Sequence, residues 1–215
     1  MRDFRDFPAW LFDLDGTLLD TRELIYQSFA AMLEALGRPV PDRGLVNSMI
    51  GLVLQPQLER LLGDVAPDEF ARARDIYRHH QNELATAYLQ PFPGVVEGLR
   101  TLRERGKRMA IVSSRTKGSL ERYLEMMGLA EYFSVVISPN ETERHKPHPD
   151  PAFAALDALG ARAEDAVFVG DADFDMGCAR GAGVYAVLVS WGGMDPAAFQ
   201  YPPDRIIHDF AELLG

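Results

Sequence analysis

The run from Ala9 to Phe12 is apolar at every position, the texture of a strand buried on both faces, and it breaks at Asp13, Leu14, Asp15 and Gly16. An extended chain sends residues i and i+2 to the same side, so Asp13 and Asp15 aim at one spot, while Gly16 permits a backbone that other residues resist. From Thr21 the period changes. Leu24, Ser28, Met32, Leu33 and Leu36 follow helical spacing until Gly37 and Pro39 close the segment. Further helices are predicted over 44–50, over 56–62 and from Pro67 towards Leu89, the last opened by Asp68 and Glu69 in its first turn. Pro91, Phe92, Pro93 and Gly94 mark a boundary.

Beyond that boundary, short apolar runs alternate with amphipathic segments. A helix to Arg105 precedes a strand over 108–113 and a helix from Lys117 to Met127; strands over 134–138, 166–170 and 184–189 follow, with helices over 150–159 and 174–182 between them. Strands alternating with helices imply a parallel sheet covered on both faces. The pattern predicts an α/β fold: a Rossmann-like parallel sheet core built from 1–19 and 89–215, with an all-helical cap domain inserted over 20–88. No internal repeat or low-complexity tract interrupts it.

In open α/β sheets ligands gather at the carboxyl ends of the strands. The first predicted strand ends in Asp13 and Asp15, the second in Ser113 and Ser114, and the 166–170 strand in Gly170 and Asp171, with Asp175 one turn on. Lys146, one of three lysines, lies in HKPHPDP at the start of a helix. Singly, these residues would pass for turn carboxylates, helix-capping serines and a solvated lysine; together and in this order they form a constellation. An EF-hand reading of Asp171, Asp173 and Asp175 fails, because Met176 stands where that loop needs Gly and Ala182 where it needs Glu. Asp173 is read as a surface group or one supporting the site from behind, His79 and His80 as surface or packing groups, and His145 and His148 as flanking Lys146 at the rim.

Composition narrows the partners. A net charge of -10 argues against nucleic acid or an anionic membrane, though a cleft with a metal ion and placed cations can still take a small anion. No apolar run approaches the roughly 20 residues that span a bilayer, the N-terminus lacks a signal-peptide pattern, and Cys178 stands alone as core filler. The expectation is a cytoplasmic protein, monomer or homodimer, open to a small anionic substrate.

With these motifs in hand, the chain resembles the haloacid dehalogenase superfamily, and within it the members with a helical cap after the first motif. Asp13, Asp15, Gly16 and Thr17 match the first motif, Ser113 the second, Lys146 the third, and Asp171 with Asp175 the fourth. The resemblance implies that Asp13 attacks phosphorus and becomes a phosphoaspartyl group, and that Asp15 protonates the leaving oxygen and then deprotonates the hydrolytic water. It implies Mg²⁺ between Asp13, Asp171 and the main-chain carbonyl of Asp15, and phosphoryl oxygens held by Ser113, Ser114 and Lys146. Thr17, Gly170 and Asp175 are supporting, with Asp175 beside the metal or bound to Lys146. The chain departs from common family practice at Ser114, Arg115 and Ala172.

Within that superfamily Asp15 argues against dehalogenation, the absence of lysine from 21–90 against phosphonate cleavage, and Ile25 in DTRELI against a sugar phosphomutase of the β-phosphoglucomutase type. GLVLQPQLERLL and VLVSWGG resemble phosphoglycolate phosphatases. The expected activity is a Mg²⁺-dependent phosphatase of a phosphoglycolate-like, sugar or nucleoside phosphomonoester; the alternatives are a phosphomutase or a non-catalytic phospholigand-binding regulator. Arg22, Arg43 and Arg60 are candidate cap cations for a second anionic group, Asn47 and Gly51 candidate cap-loop residues at the site, and Leu18 to Thr21 a candidate hinge.

Overall fold

The computed structural model describes residues 3–215. In chain order, β1 (Ala9–Phe12) and β2 (Leu19–Asp20) precede four helices: α1 (Arg22–Ala35), α2 (Arg43–Asn47), α3 (Leu54–Leu62) and α4 (Pro67–Tyr88). Then come β3 (Gln90–Pro91), α5 (Val95–Glu104), β4 (Arg108–Val112), α6 (Lys117–Met126), β5 (Val135–Ile137) and α7 (Asp150–Leu159). The chain finishes with β6 (Ala166–Gly170), α8 (Asp173–Ala182), β7 (Tyr185–Val189) and β8 (Arg205–Ile207).

Six strands form one parallel sheet in the order β5-β4-β1-β6-β7-β8, a Rossmann-like α/β arrangement. β1 lies inside it, with Phe12 opposite Ile111 of β4 on one side and Val169 of β6 on the other. From β1 the chain builds outward through β4 and β5, then returns to build the other half, so the strand order reverses beside β1. A ligand crevice opens at such a reversal.

The period-two alternation assigns two cores. Trp10, Phe12, Ile111 and Val169 pack under α5 and α6 with Leu99 and Tyr123, while Leu11, Ala110, Val112 and Phe168 face α7 and α8. Small side chains at Ala152, Ala155 and Ala179 let those two helices come close to the sheet. At about 1.5–3 kcal/mol for each large apolar side chain withdrawn from water, these layers anchor the rim on which the polar residues stand.

Helices α1 to α4 gather around an apolar cluster of their own, including Phe29, Met32, Val46, Leu58 and Tyr77, with the Phe29 and Tyr77 rings 4.3 Å apart. Leu24 and Ala85 instead join the cluster of the sheet, fastening the base of this helical group.

Several boundaries differ from the sequence reading. The second helix spans Arg43–Asn47, not 44–50, because Asp42 caps it by accepting from the Leu45 N–H and the chain then turns through Gly51, whose φ of 96° suits only glycine. The third begins at Leu54, ahead of Pro56, since proline is tolerated in a first turn. Two features were not anticipated. β8 is a three-residue edge strand starting at a charged Arg205, too short to show alternation. β2 and β3 pair antiparallel, Leu19 with Pro91 and Asp20 with Gln90, at the proposed hinge where the chain leaves the sheet and returns.

Candidate active site

Asp13 follows directly from β1, its main-chain N–H donating to the Val169 carbonyl at 2.9 Å, so the sheet itself fixes the position of this carboxylate. Lys146 reaches it from the loop before α7. Its Nζ donates to Asp13 Oδ1 at 2.7 Å, to Asp175 Oδ1 at 2.7 Å and to the Val112 carbonyl at 3.1 Å. Asp175 lies in the first turn of α8, where its other oxygen accepts from the Ala172 N–H at 3.0 Å. Both of its oxygens therefore serve to hold Lys146 and to cap its own helix. Gly170 makes room for it, since a Cβ at that position would fall 2.4 Å from Asp175 Cβ.

Asp171 occupies a slot between two glycines. A Cβ on Gly16, at φ 82°, would lie 2.2 Å from Asp171 Oδ2, and one on Gly192 would lie 2.3 Å from Asp171 Cβ. Thr17 donates its hydroxyl to Asp171 Oδ1 at 3.3 Å, and Trp191 Nε1 donates to the Thr17 carbonyl at 3.0 Å. Gly192 belongs to the VLVSWGG stretch noticed in the sequence, but only the fold brings it against Asp171.

Asp13, Asp171 and Asp175 place oxygens within 4.8 Å of one another, all three residues buried. One lysine faces three carboxylates. Burial, against the opposing pull of Lys146 and reinforced by Asp175 and Asp15, pushes the Asp13 pKa up to about 7. Burial and then the charges of Asp175 and Asp13 raise that of Asp171 as well. For Lys146 burial works against the charge, but the pull of Asp13 and Asp175 outweighs it and raises its pKa. Among the described residues Thr17 is the one group that donates to the Asp171 carboxylate. A hard divalent cation fits this set: oxygen donors only, an excess of negative charge, and one carboxylate almost unpartnered.

The side chain of Asp15 is directed elsewhere. Arg115 grips it with two bonds, Nε to Oδ2 at 3.1 Å and Nη2 to Oδ1 at 2.5 Å. Of the residues expected at a metal, the structure thus brings the carboxylates of Asp13 and Asp171 together with Asp175, while Asp15 could reach a cation only through its main-chain carbonyl. The Ser113 hydroxyl accepts from the Arg115 N–H at 3.2 Å and keeps its own proton to donate. Ser114, also expected to bind phosphate, donates across the cavity to the loop between α2 and α3, to the Gly51 carbonyl at 2.6 Å.

Asp13 and Asp15 line a cavity of about 680 Å³ between the sheet's rim and the helices α1, α3 and α4, with α6 along its side. Its lining carries the cations Arg78, Arg115, Lys117 and Arg122 against two carboxylates, a local reversal of the chain's negative charge. None of the candidate cap cations lines it: Arg22 pairs with Asp20 at 3.3 Å, Arg43 pairs with Glu23, and Arg60 is exposed. Gly51 does line it, as expected; Asn47, His145 and His148 do not. Tyr77, Arg78 and Gln81 enter from α4, where helical spacing shows which residues share a face but not what that face meets.

Over residues 10–189 the chain matches the family model described as haloacid dehalogenase-like hydrolase. It is 34% identical over 214 residues to the Probable phosphatase IndB of Dickeya dadantii, covering 97% of this chain and 92% of that one. To the pyrophosphatase PpaX of Halalkalibacterium halodurans it is 33% identical over 206 residues, covering 95% and 94%. The crystal structure of a predicted phosphoglycolate phosphatase from Haemophilus somnus superposes with a TM-score of 0.91 at 25% identity, covering 97% of each chain.

Proposed function

The chain belongs to the haloacid dehalogenase-like hydrolases, and from that premise we propose that it is a Mg²⁺-dependent phosphatase that hydrolyses a small phosphomonoester through a phosphoaspartyl intermediate on Asp13. The observation that carries this reading is the buried triad of Asp13, Lys146 and Asp175, of which Asp13 opens onto a cation-lined cavity. Phosphoric monoester hydrolysis agrees with the phosphatase names of its relatives.

In this reading an oxygen of Asp13 forms a bond to phosphorus while the ester P–O bond breaks, and the departing oxygen takes a proton from Asp15. Water then attacks the phosphorus of the acyl phosphate, Asp15 takes its proton, and Asp13 is released with inorganic phosphate. Lys146 and the free proton of Ser113 hold phosphoryl oxygens in place. Asp13, Asp171 and the main-chain carbonyl of Asp15 would hold Mg²⁺, which offsets the charge of the phosphoryl group when bound. Residues 20–88 act as the cap domain of a core formed by 1–19 and 89–215, and the helices over the cavity keep bulk water from the acyl phosphate until its hydrolysis. The intact set of acid, nucleophile and lysine weighs against a non-catalytic regulator.

The test is turnover of p-nitrophenyl phosphate, expected with Mg²⁺, lost with a chelator and restored by added Mg²⁺. Equal rates in all three conditions would rule out the metal dependence. A panel of phosphoglycolate, sugar phosphates, nucleoside monophosphates and pyrophosphate then ranks substrates by kcat/KM; PpaX makes the last of these a necessary arm.

The metal reading has a second readout. Mg²⁺ at about a hundred times its dissociation constant is expected to stabilise the protein by about 2.7 kcal/mol, raising its melting temperature. In Gly192→Ala the new Cβ would sit 2.3 Å from Asp171 Cβ, so Asp171 must move and that rise should shrink by at least half. A full rise in the variant would show that Gly192 does not set the position of Asp171.

A further inference from the structure

We propose that Arg115 is a positioning residue for the proton-moving carboxylate, its guanidinium fork aiming Asp15 into the cavity. The inference rests on the phosphatase reading above and adds a residue to it.

The two residues are 100 positions apart in sequence and meet through paired bonds of 3.1 and 2.5 Å. Side-chain exposure is 7% for Arg115 and 12% for Asp15, so solvent does little to weaken the pair. Arg115 is itself held. Its Nη1 donates to Ser119 Oγ at 3.0 Å on α6, and its Cζ lies 4.3 Å from the centre of the buried Tyr123 ring. A planar fork locked on these sides dictates both the direction and the tilt of the carboxylate it binds.

Asp15 has little else to orient it. Among the described residues Arg115 supplies the hydrogen bonds its carboxylate receives, and Gly16 at φ 82° follows it. Without the fork, the side chain would sample its rotamers at the cavity wall. The obvious structural role, a strut between the end of β1 and α6, predicts a different outcome when Arg115 is removed, and the leaving group tells the two apart.

In the first half-reaction the Asp13–phosphorus bond forms, the phosphorus–ester oxygen bond breaks, and one proton passes from Asp15 to the departing oxygen. An alkoxide is a strong base that leaves badly without that proton, whereas p-nitrophenolate leaves readily as the anion. Misaiming Asp15 must therefore damage the cleavage of alkyl phosphates far more than that of p-nitrophenyl phosphate. Loss of a strut would damage both alike.

The experiment compares kcat/KM for propyl phosphate and p-nitrophenyl phosphate, with Mg²⁺, in the wild type, Asp15→Asn, Arg115→Met and Arg115→Lys. Asp15→Asn and Arg115→Met are expected to lose at least about tenfold more on the alkyl ester than on the aryl ester, against the factor of about 10²–10⁴ general for positioned proton transfer. Arg115→Lys, a charge without a fork, should fall between them and the wild type. Retained aryl turnover in Arg115→Met reports an intact fold; should that variant be inactive on both esters, Arg115→Lys decides by the same ratio. An equal loss on both esters in the Arg115 variants, with the split preserved in Asp15→Asn, overturns the inference alone. No split in Asp15→Asn overturns the role given to Asp15 in the reading beneath it.

Discussion

Asp13→Asn is expected to reduce turnover of p-nitrophenyl phosphate by about four orders of magnitude or more, equivalent to about 5.5 kcal/mol of transition-state stabilisation at about 1.4 kcal/mol for each factor of ten. Asn is nearly the same size and still accepts a hydrogen bond from Lys146, so the fold and the cavity should survive. On the phosphatase reading, what disappears is the anionic oxygen that would attack phosphorus, together with a negative charge that holds Lys146 and would hold a cation. An aryl phosphate is a stringent probe because its leaving group does not depend on proton donation, which isolates the loss of the nucleophile. Steady-state rates with Mg²⁺, with circular dichroism to confirm folding, decide the matter. A wild-type rate no faster than that of Asp13→Asn would sink the phosphatase reading.

The second large effect concerns stability. Lys146→Met should cost about 3–5 kcal/mol, the range for removing one partner of a buried ion pair and leaving the other charged. Here two carboxylates lose their partner, since Nζ lies 2.7 Å from both Asp13 and Asp175, and the ammonium and its two partners are all within 3% exposure. Methionine fills much of the stem's volume, so the loss is chiefly electrostatic. In a chain of this length the melting temperature should fall by about 10 °C, as read by calorimetry in the absence of metal. A fall of less than about 2 °C would mean that the carboxylates accept protons or water at no cost.

Most of the sheet and the positions of Asp13, Lys146 and Asp171 could be read from sequence because each is a local signal repeated at the same place in the fold. A strand's apolar run ends, and a polar residue stands at its end. Lys146 was legible by its neighbours Pro147 and Pro149 and by its place before a helix, although its contacts with Asp13 and Asp175 span 133 and 29 residues. What escaped was the set of residues whose role depends on contacts between distant segments. Nothing in the spacing of Arg115 shows that it meets Asp15, and Ser114 carries a hydroxyl suited equally to phosphate or to the Gly51 carbonyl it meets. Arg22, Arg43 and Arg60 and the cavity residues Arg78 and Arg122 all sit on amphipathic helices. Only the packing of these helices around the rim separates Arg78 and Arg122, which line the cavity, from Arg22 and Arg43, which pair with Asp20 and Glu23, and from the exposed Arg60.

The antiparallel pairing of Leu19 and Asp20 with Gln90 and Pro91 bears on how such a chain can be assembled and diversified. The outgoing and returning strands leave the sheet side by side and hydrogen-bonded, so the long helical excursion reaches the rest of the molecule as the tip of a hairpin would. Loop-closure entropy grows only with the logarithm of length, and these adjoining ends spare the sheet any distortion to accommodate what lies between them. The excursion is therefore modular: another segment whose own ends meet could occupy the same junction, changing which molecules enter without disturbing Asp13, Lys146 and Asp171 below.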